Sequence, residues 1–342
     1  MGLSIGKIAL ASPFCQAGLE GYSDAPMRVV ARRRGCGYAL TEAMSDEMVA
    51  QGGGHVKRRL AVRADDHPLA GQIMGAEPEM MARAAAVLVG IGYDAVDVNL
   101  ACPVRKQARA RGGHLLARPE TAIAILRAVR DAVPAHVPVT VKLRRGTDDS
   151  SQAAERFHQV LAAVWDAGYD AACVHGRTVE QIYRGIADWE FLAGLKKAYP
   201  GRTILGSGDL FTGADAVRML DRTGLDGVWL ARGAIGNPWI FGEAEAVWRD
   251  RAAVVAAPGL DEQLAALEEH LQLTKETYPE ERVGMRMRGV AMRYARWHPD
   301  SEEMRKASLA CRTLADVEAL FRRWGGTAER ASVPERLAAS PA

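Results

Sequence analysis

The sequence predicts an α/β protein that begins as a closed (β/α)8 TIM barrel and ends in a small C-terminal helical domain. The first observation is the length, because 342 residues exceed the roughly 250 of a typical barrel by about one small domain. The second is a regular alternation of short apolar runs with longer stretches of helical period. The third is the loss of that alternation after residue 248, where only helical patterns follow.

Eight short apolar or β-branched runs, bounded by Gly, Pro or Asp, have the pattern of buried strands. They are 14–18, 38–42, 69–74, 95–100, 139–143, 171–175, 203–206 and 227–231. Parallel strands that are buried on both faces read as near-continuous apolar runs, so eight of them favour a closed barrel. An open doubly wound sheet is the alternative, but no GxGxxG sequence opens a first helix.

Helical patterns lie between the runs and again after them. The clearest ones between the runs are 78–90, 119–133, 151–167 and 213–223. Beyond the barrel, the stretches 261–278, 282–297 and 314–324 are separated by Pro279 and Pro299. We therefore expect a catalytic barrel over residues 1–248, a helical domain over 249–324 and a disordered tail over 325–342.

The composition is that of an ordinary globular protein, with 48% hydrophobic and 25% charged residues. No apolar run reaches the roughly 18 residues of a membrane helix, and the start of the chain lacks the layout of a signal peptide. The five cysteines form no CxxC pair, which argues against a disulfide framework or a zinc site. We expect a cytoplasmic monomer that binds no membrane and no metal.

Polar residues follow the predicted strands at the end where such barrels build their active sites. They are Gln72, Asn99, Cys102, Lys142, His175, Arg177, Ser207 to Asp209, and Arg232 with Gly233. Taken singly, a cysteine usually packs as a small hydrophobe and a strand lysine usually reaches solvent. A lysine and a histidine that converge on one barrel mouth beside Gly-rich turns instead predict an active site with a bound phosphate.

The most economical ligand for that set is flavin mononucleotide (FMN). Its phosphate suits the two Gly-containing turns that follow the seventh and eighth runs, and Arg232 would add positive charge there. Its ring becomes anionic when reduced, and Lys142 near the ring would stabilise that form electrostatically.

Several motifs, taken in order, resemble the tRNA-dihydrouridine synthase family, and within it the bacterial branch labelled B. The resemblance covers nearly the whole chain. Its motifs are AGLEGYSDAPMR at 17–28, QIMG at 72–75, DVNLACP at 97–103, VKLRRG at 141–146, VHGRT at 174–178, GSGD at 206–209 and GAIGNPWIF at 233–241.

The resemblance implies an FMN enzyme that uses NADPH to reduce the C5=C6 bond of uridine in RNA, most simply tRNA. Cys102 would be the general acid that protonates C5, while hydride passes from flavin N5 to C6, and a thiol is mostly protonated at neutral pH, as an acid must be. The residues implied for the cofactor are Leu19, Gln72, Lys142, His175, Arg177, Ser207, Gly208, Asp209, Arg232 and Gly233.

Four positions depart from the family's usual pattern. Ala101 replaces the Gly before the cysteine, Gly18-Leu19 replaces Pro-Met, and Ser207 replaces Asn. These three bear on how the flavin is seated. In the helical domain, Arg288-Gly-Val replaces the usual Arg-Lys-His and bears on RNA recognition.

Basic residues cluster at 28–34, 57–63, 105–111 and 282–296. The last cluster would form a stripe on one helix face, suited to a phosphate backbone or equally to solvent. Because a base must leave its stack to meet a flavin, cationic and aromatic neighbours are expected at the mouth. The candidates for substrate binding are Asn99, Arg105, Lys106, Tyr183, Arg286, Arg288 and Arg293.

Two alternatives remain open from the sequence. One is a small-molecule FMN oxidoreductase of the same fold, of the dihydroorotate or dihydropyrimidine type, which would need neither the basic clusters nor the helical domain. The other is an RNA-binding relative that has lost catalysis, suggested by Ala101 and Ser207.

Overall fold

Eight parallel strands form the closed barrel that the sequence predicts. The structure is a computed structural model and describes residues 2–53, 56, 60–103 and 111–325. The barrel strands are β3 (Phe14–Gln16), β4 (Ala39–Leu40), β6 (Leu69–Met74), β7 (Ala95–Leu100), β8 (Val139–Arg144), β9 (Ala171–His175), β10 (Ile204–Ser207) and β11 (Gly227–Leu230). Pairing of β4 with β6 and of β11 with β3 closes the ring, which excludes the open sheet.

Three short strands were not predicted from the sequence. β1 (Leu3–Ile5) and β2 (Ile8–Leu10) pair as an antiparallel hairpin, whose buried apolar side chains join the cluster inside the barrel. β5 (Met44–Ser45) adds a short parallel extension beside β6. Runs of two or three residues are too short to show a strand period, so the sequence gives no signal for them.

The barrel helices bury one apolar face each against the strands. They are α1 (Ala25–Arg32), α2 (Asp46–Gln51), α3 (Pro78–Ile91), α4 (Pro119–Ala132), α5 (Ser151–Asp166), α6 (Trp189–Ala198), α7 (Gly213–Thr223) and α8 (Ile240–Arg249). In α3 the buried positions Met81, Ala84, Ala85 and Leu88 have the spacing of one helical face. The four helices predicted most clearly agree with the structure to within one residue at each end.

After α8, a loop over residues 250–259 leads to the helical domain, which the structure describes to residue 325. It forms α9 (Leu260–Thr277), α10 (Glu280–Tyr294), α11 (Ser301–Ala310) and α12 (Leu314–Gly325), with a 3-10 turn at Ala295–Trp297. These helices share their own core, which includes Leu267, Met287 and Trp324. The sequence did not predict α11, because only Met304 and Ser308 of this helix are buried and its apolar period is weak.

The helical domain packs against the side of the barrel that carries the carboxyl ends of the strands. The Tyr278 hydroxyl donates to Asp24 Oδ2 at 2.9 Å, and Trp297 Nε1 donates to the Gly236 carbonyl at 2.9 Å. Gly236 has a φ of +62°, and a Cβ there would lie 2.6 Å from the backbone of Arg293 in α10. This close contact fixes α10 beside the mouth of the barrel.

Across the described helices, none combines the length and the apolar character needed to span a membrane. The predicted tail lies almost entirely outside the described residues, which end at Gly325. The catalytic and RNA-binding roles assigned to the two domains stay predictions.

Candidate active site

One large cavity opens at the carboxyl ends of the barrel strands, with a volume of about 940 Å³. Its walls come from strand ends, from the loops that follow them, and from α10 and α11 of the helical domain. Twelve of the residues singled out from the sequence line it. They are Leu19, Gln72, Asn99, Cys102, Lys142, His175, Tyr183, Ser207, Gly208, Asp209, Arg232 and Arg293.

The other candidates lie elsewhere. Arg177 and Gly233 are buried behind the cavity wall. Arg286 lines a separate small cavity of about 50 Å³ between the barrel and the helical domain, and Arg288 is half-buried on α10 and lines neither cavity. The remaining two, Arg105 and Lys106, lie outside the described residues.

The floor of the cavity is a buried network that starts at Asp97, in the middle of β7. Asp97 accepts hydrogen bonds from Thr140 Oγ1 at 2.5 Å and from Gln72 Nε2 at 2.7 Å. Burial raises the pKa of Asp97 to about 6, although both hydrogen bonds act to lower it. Above that pH the carboxylate is ionised and can only accept, so the Gln72 amide must turn its nitrogen toward Asp97.

The orientation of Gln72 determines the orientation of Asn99. Gln72 Oε1 accepts from Asn99 Nδ2 at 2.8 Å, which leaves Asn99 Oδ1 on the opposite side. That oxygen accepts the backbone N–H groups of Ala101 and Cys102, both at 3.0 Å. One buried carboxylate therefore orients two amides in series and holds the backbone of Cys102, while one Nδ2 proton of Asn99 remains for a ligand.

Lys142 lines the cavity. Its ammonium donates to Ser207 Oγ at 2.6 Å and lies 5.7 Å from the ring centre of Trp229. Burial lowers the pKa of Lys142, although the charge of the nearby Asp97 acts to raise it. A cation in this position would stabilise an anionic ring placed against it.

His175 shares the same serine. Its Nδ1 lies 3.1 Å from Ser207 Oγ. Burial, and then the nearby cations Lys142 and Arg144, hold the pKa of His175 far below its usual range, so the ring is neutral. Because Ser207 accepts from Lys142, its own proton can go to Nδ1, which leaves the imidazole proton on Nε2. His175 Nε2 has no partner among the described residues and offers a buried donor to a ligand.

Asp209 holds two arginines beside the cavity, Arg177 and Arg232. Its Oδ2 lies 2.8 Å from Arg177 Nη2, its Oδ1 lies 3.3 Å from Arg232 Nη2, and Oδ2 also accepts from the Ala187 N–H. The carboxylate is thus committed to protein groups, so Asp209 positions cations instead of binding a phosphate itself. Arg177 Nη1 is buried and has no partner among the described residues.

The two predicted Gly turns meet beside these arginines. Gly208 has a φ of +123°, and a Cβ there would lie 2.5 Å from Ala187 Cβ. At Gly233 a Cβ would lie 2.2 Å from the Leu210 carbonyl oxygen. Only glycine allows the loops after β10 and β11 to pack this closely, which brings their backbones and the arginines together.

The donors on the cavity wall fit an acceptor-rich cofactor such as FMN. His175 Nε2 and Trp229 Nε1 are buried donors without a described partner, and both residues line the cavity. Arg232 and Gly208 line the same cavity, and the phosphate contact predicted for them stays a prediction. The volume is also within the range of about 300–1,000 Å³ that is usual for ligand pockets.

Two of the departures from the family pattern have a visible structural role. A Cβ at Gly18 would lie 2.3 Å from the Thr41 carbonyl and 3.1 Å from Gln72 Oε1, so the backbone needs glycine at this point. Ser207 joins Lys142 to His175, as described above. The Ala101 carbonyl accepts a hydrogen bond from Arg144 Nε at 2.8 Å.

Sequence reasoning missed several residues of the cavity wall. Arg144 lies two positions after Lys142 on β8, so strand alternation places both on one face and could have identified it. Burial lowers the pKa of Arg144 to about 10. Phe211, Arg296 and Arg305 also line the cavity, but no strand end or motif identified them as cavity residues in the sequence. Among the described residues, no cluster of His, Cys, Asp and Glu forms a metal site.

The family model described as dihydrouridine synthase (Dus) matches residues 15–324. A probable tRNA-dihydrouridine synthase 1 of Synechocystis sp. is 36% identical over 79% of this chain and 75% of its own. The tRNA-dihydrouridine synthase B of Pseudomonas aeruginosa is 33% identical over 88% of this chain and 89% of its own. These matches extend across both the barrel and the helical domain.

Solved structures support the fold alone. Morphinone reductase in complex with tetrahydroNAD superposes with a TM-score of 0.53 at 13% identity, over 77% of this chain and 93% of that one. A 2-naphthoyl-CoA reductase complex gives 0.55 at 15% identity, over 71% and 51%. The family model and the tRNA-dihydrouridine synthases that match most of the chain establish that the chain belongs to the dihydrouridine synthase family.

Proposed function

We propose that this protein reduces uridine to 5,6-dihydrouridine in tRNA, with FMN as its cofactor and NADPH as the reductant. The observation that carries the proposal is one cavity that has a polar floor and a cationic mouth. Cys102, Asn99, Gln72 and Lys142 line its floor, and arginines of the helical domain line its mouth. Family membership supports a flavin and an RNA substrate, and the donor-rich wall fits FMN.

The cofactor would lie between the floor and the two Gly turns. Gln72 and Lys142 would contact the ring system, and His175 Nε2 would donate to it or to its side chain. Arg177, Arg232 and the turns at Gly208 and Gly233 would hold the phosphate. When bound and reduced, FMN supplies the hydride that uridine receives at C6.

The protein's own contribution is to hold the uracil ring and to deliver a proton. The free Nδ2 proton of Asn99 can donate to a carbonyl oxygen of the base, since its Oδ1 is already used by two backbone N–H groups. Cys102 would release its thiol proton to C5. The backbone of Cys102 is held by Asn99, so the acid and the base-binding amide keep a fixed relative position.

RNA would approach over the helical domain. Arg293, Arg296 and Arg305 come from α10, the turn after it and α11, and all three are exposed at the cavity. A small pyrimidine would not need these cations, whereas a phosphate backbone that passes the mouth would contact them. The Arg105 and Lys106 contacts predicted from the sequence remain part of this proposal.

The test is anaerobic NADPH oxidation by the purified, yellow protein with two acceptors, unmodified tRNA transcript and small pyrimidines that keep the C5=C6 bond (uracil and orotate), and with no acceptor as the blank. Turnover with tRNA, together with dihydrouridine in the digested nucleosides, is the expected result. Turnover with a small pyrimidine and not with tRNA would favour the small-molecule oxidoreductase. Absence of bound flavin after mild purification would favour the non-catalytic relative.

A further inference from the structure

Two aromatic side chains at the cavity mouth share one guanidinium group. The Arg232 guanidinium carbon lies 4.5 Å from the ring centre of Tyr183 and 5.1 Å from that of Phe211. Both rings are nevertheless well exposed, Tyr183 by 50% and Phe211 by 42%. The substrate assignment above includes Tyr183, but it gives Phe211 no role.

The backbone beneath Phe211 is held firmly, although its ring is exposed. Its N–H donates to Asp215 Oδ2 at 3.0 Å, in the capping box that begins α7. Its Cα packs against Gly233, where a Cβ would come within 2.9 Å. An apolar ring on such a fixed loop is pre-organised to contact a ligand, since little conformational freedom remains to be lost on binding.

The charge around the pair is positive. Arg232 and Arg177 share the single carboxylate of Asp209, and Arg144 lies 5.9 Å from the Tyr183 ring centre with backbone carbonyls as its hydrogen-bond partners. Exposed aromatic faces among guanidinium groups are the pattern by which proteins stack the bases of single-stranded nucleic acid.

The geometry points to a stacking subsite, made of Phe211 and Tyr183 with Arg232 over both rings, for a nucleobase adjacent to the target uridine. This inference rests on the proposed function. When a uridine leaves its stack to enter the cavity, its neighbours in the chain lose a stacking partner. Phe211 at the mouth replaces that partner and so offsets part of the cost of extruding the uridine.

The experiment uses the full-length holoenzyme and unmodified tRNA transcript. Phe211→Ala should raise the Kd for tRNA by about 5- to 150-fold, the range for losing one base–aromatic stack. Phe211→Trp should restore binding. Ile186→Ala is the matched control, because this side chain is also apolar and 83% exposed but does not line the cavity. Flavin content and the rate of flavin reduction by NADPH should be unchanged in all three variants.

A double-mutant cycle identifies the ligand. Transcripts with an abasic ribose on the 5′ or the 3′ side of the target uridine remove one neighbouring base at a time. If Phe211 stacks on that base, the abasic transcript should bind wild type and Phe211→Ala equally weakly, so that the two losses do not add. Additive losses at both positions would overturn the inference.

Two further outcomes are decisive. If Phe211→Ala binds tRNA as tightly as wild type and still reduces uridine, this inference is overturned and the proposed function remains intact. The same holds if the variant is slowed only in its reduction by NADPH, since the Phe211 ring would then contact the dinucleotide. A wild-type protein that leaves uridine in tRNA unreduced would overturn the proposed function and the inference with it.

Discussion

The floor and the mouth of the cavity differ in burial and in the kind of contact that their side chains make. On the floor, Asp97, Gln72 and Asn99 are buried, and each lies within 2.5–3.0 Å of its hydrogen-bond partners. At the mouth, Tyr183, Arg293 and Arg305 are exposed. The Arg232 guanidinium lies over the Tyr183 ring, and Arg293 lies over the Tyr22 ring and donates to its hydroxyl at 2.9 Å.

The difference shows how one cavity can combine chemistry with the binding of a large substrate. A buried network in low dielectric fixes the atoms that react, because any unpaired polar group there is costly. An exposed cationic rim acts over a longer range, is screened by salt and tolerates change. Substitutions in the floor should therefore alter rates and stability, whereas substitutions in the mouth should alter RNA affinity.

The largest effect is expected at Cys102. Cys102→Ala should keep its flavin and be reduced by NADPH normally, but flavin reoxidation by tRNA should fall by about 10² to 10⁴, the scale for losing a positioned acid. Stopped-flow measurement of both half-reactions checks this separation. If Cys102 only packs, the variant should lose about 1 kcal/mol of stability and reoxidise within about threefold of wild type.

A second substitution in the floor is at Lys142. Lys142→Met should slow flavin reduction by about 10² to 10³, because the variant lacks the cation that we propose stabilises the reduced ring. The melting temperature should change much less, since burial already disfavours the charged form. Normal reduction by NADPH in this variant would show that the ammonium does not act on the ring.

Asp97 should make the stability of the floor depend on pH. Because its pKa is raised to about 6 in the folded protein, the folded state binds more protons than the unfolded chain between about pH 4 and 6. The stabilisation is complete below about pH 4 and is lost as the pH rises through 6. Relative to Asp97→Asn, wild type should therefore lose about 1 to 3 kcal/mol of unfolding free energy from pH 4 to 7.

Denaturant unfolding of both proteins across this pH range measures the difference. Asp221→Asn is the control, because this carboxylate is half exposed and pairs with Arg251 at the surface. A wild-type minus Asp97→Asn difference that is constant with pH would contradict the buried-carboxylate account of the floor.

The smallest effect is expected at the mouth. Replacing Arg293 and Arg305 together by Glu should raise the KM for tRNA and reduce the salt dependence of binding by about one unit of slope per lost phosphate contact. Flavin content should be unchanged. Arg222→Glu with Arg249→Glu carries the same change of charge on the outer helices. Equal tRNA affinity in the two double variants would show that Arg293 and Arg305 do not contact the RNA.

The barrel could be predicted from the sequence because its buried strands appear there as short apolar runs. The sequence also identified Gln72, Asn99, Cys102 and Lys142 of the floor, since the side chains at the ends of parallel strands must converge on one mouth, but it did not identify Asp97. The arrangement of Asp97, Gln72 and Asn99 could not be predicted, because the direction of an amide depends on partners from three different strands.

The mouth was harder to predict for a different reason. Phe211 and Arg305 reach the cavity only through the packing of a loop and of a helix with a weak apolar period, which no local pattern records. Arg286 was placed on the RNA face by its helical spacing, but it lies over the Tyr278 ring at 4.6 Å and within 4.0 Å of Asp24, between the domains. The spacing of residues shows which side chains share one face of a helix, but only tertiary packing determines what that face contacts.

A single-turnover reaction tests the central claim that this cavity transfers hydride and proton to a uridine in RNA. The bound flavin of the wild-type protein is first reduced anaerobically with NADPH, and the reduced protein is then mixed with unmodified tRNA. Flavin absorbance follows the reoxidation, and nucleoside analysis identifies the product. The account predicts that tRNA reoxidises the flavin and that dihydrouridine forms in an amount equal to the flavin reoxidised. A flavin that stays reduced in the presence of tRNA, or that is reoxidised without dihydrouridine, would contradict it.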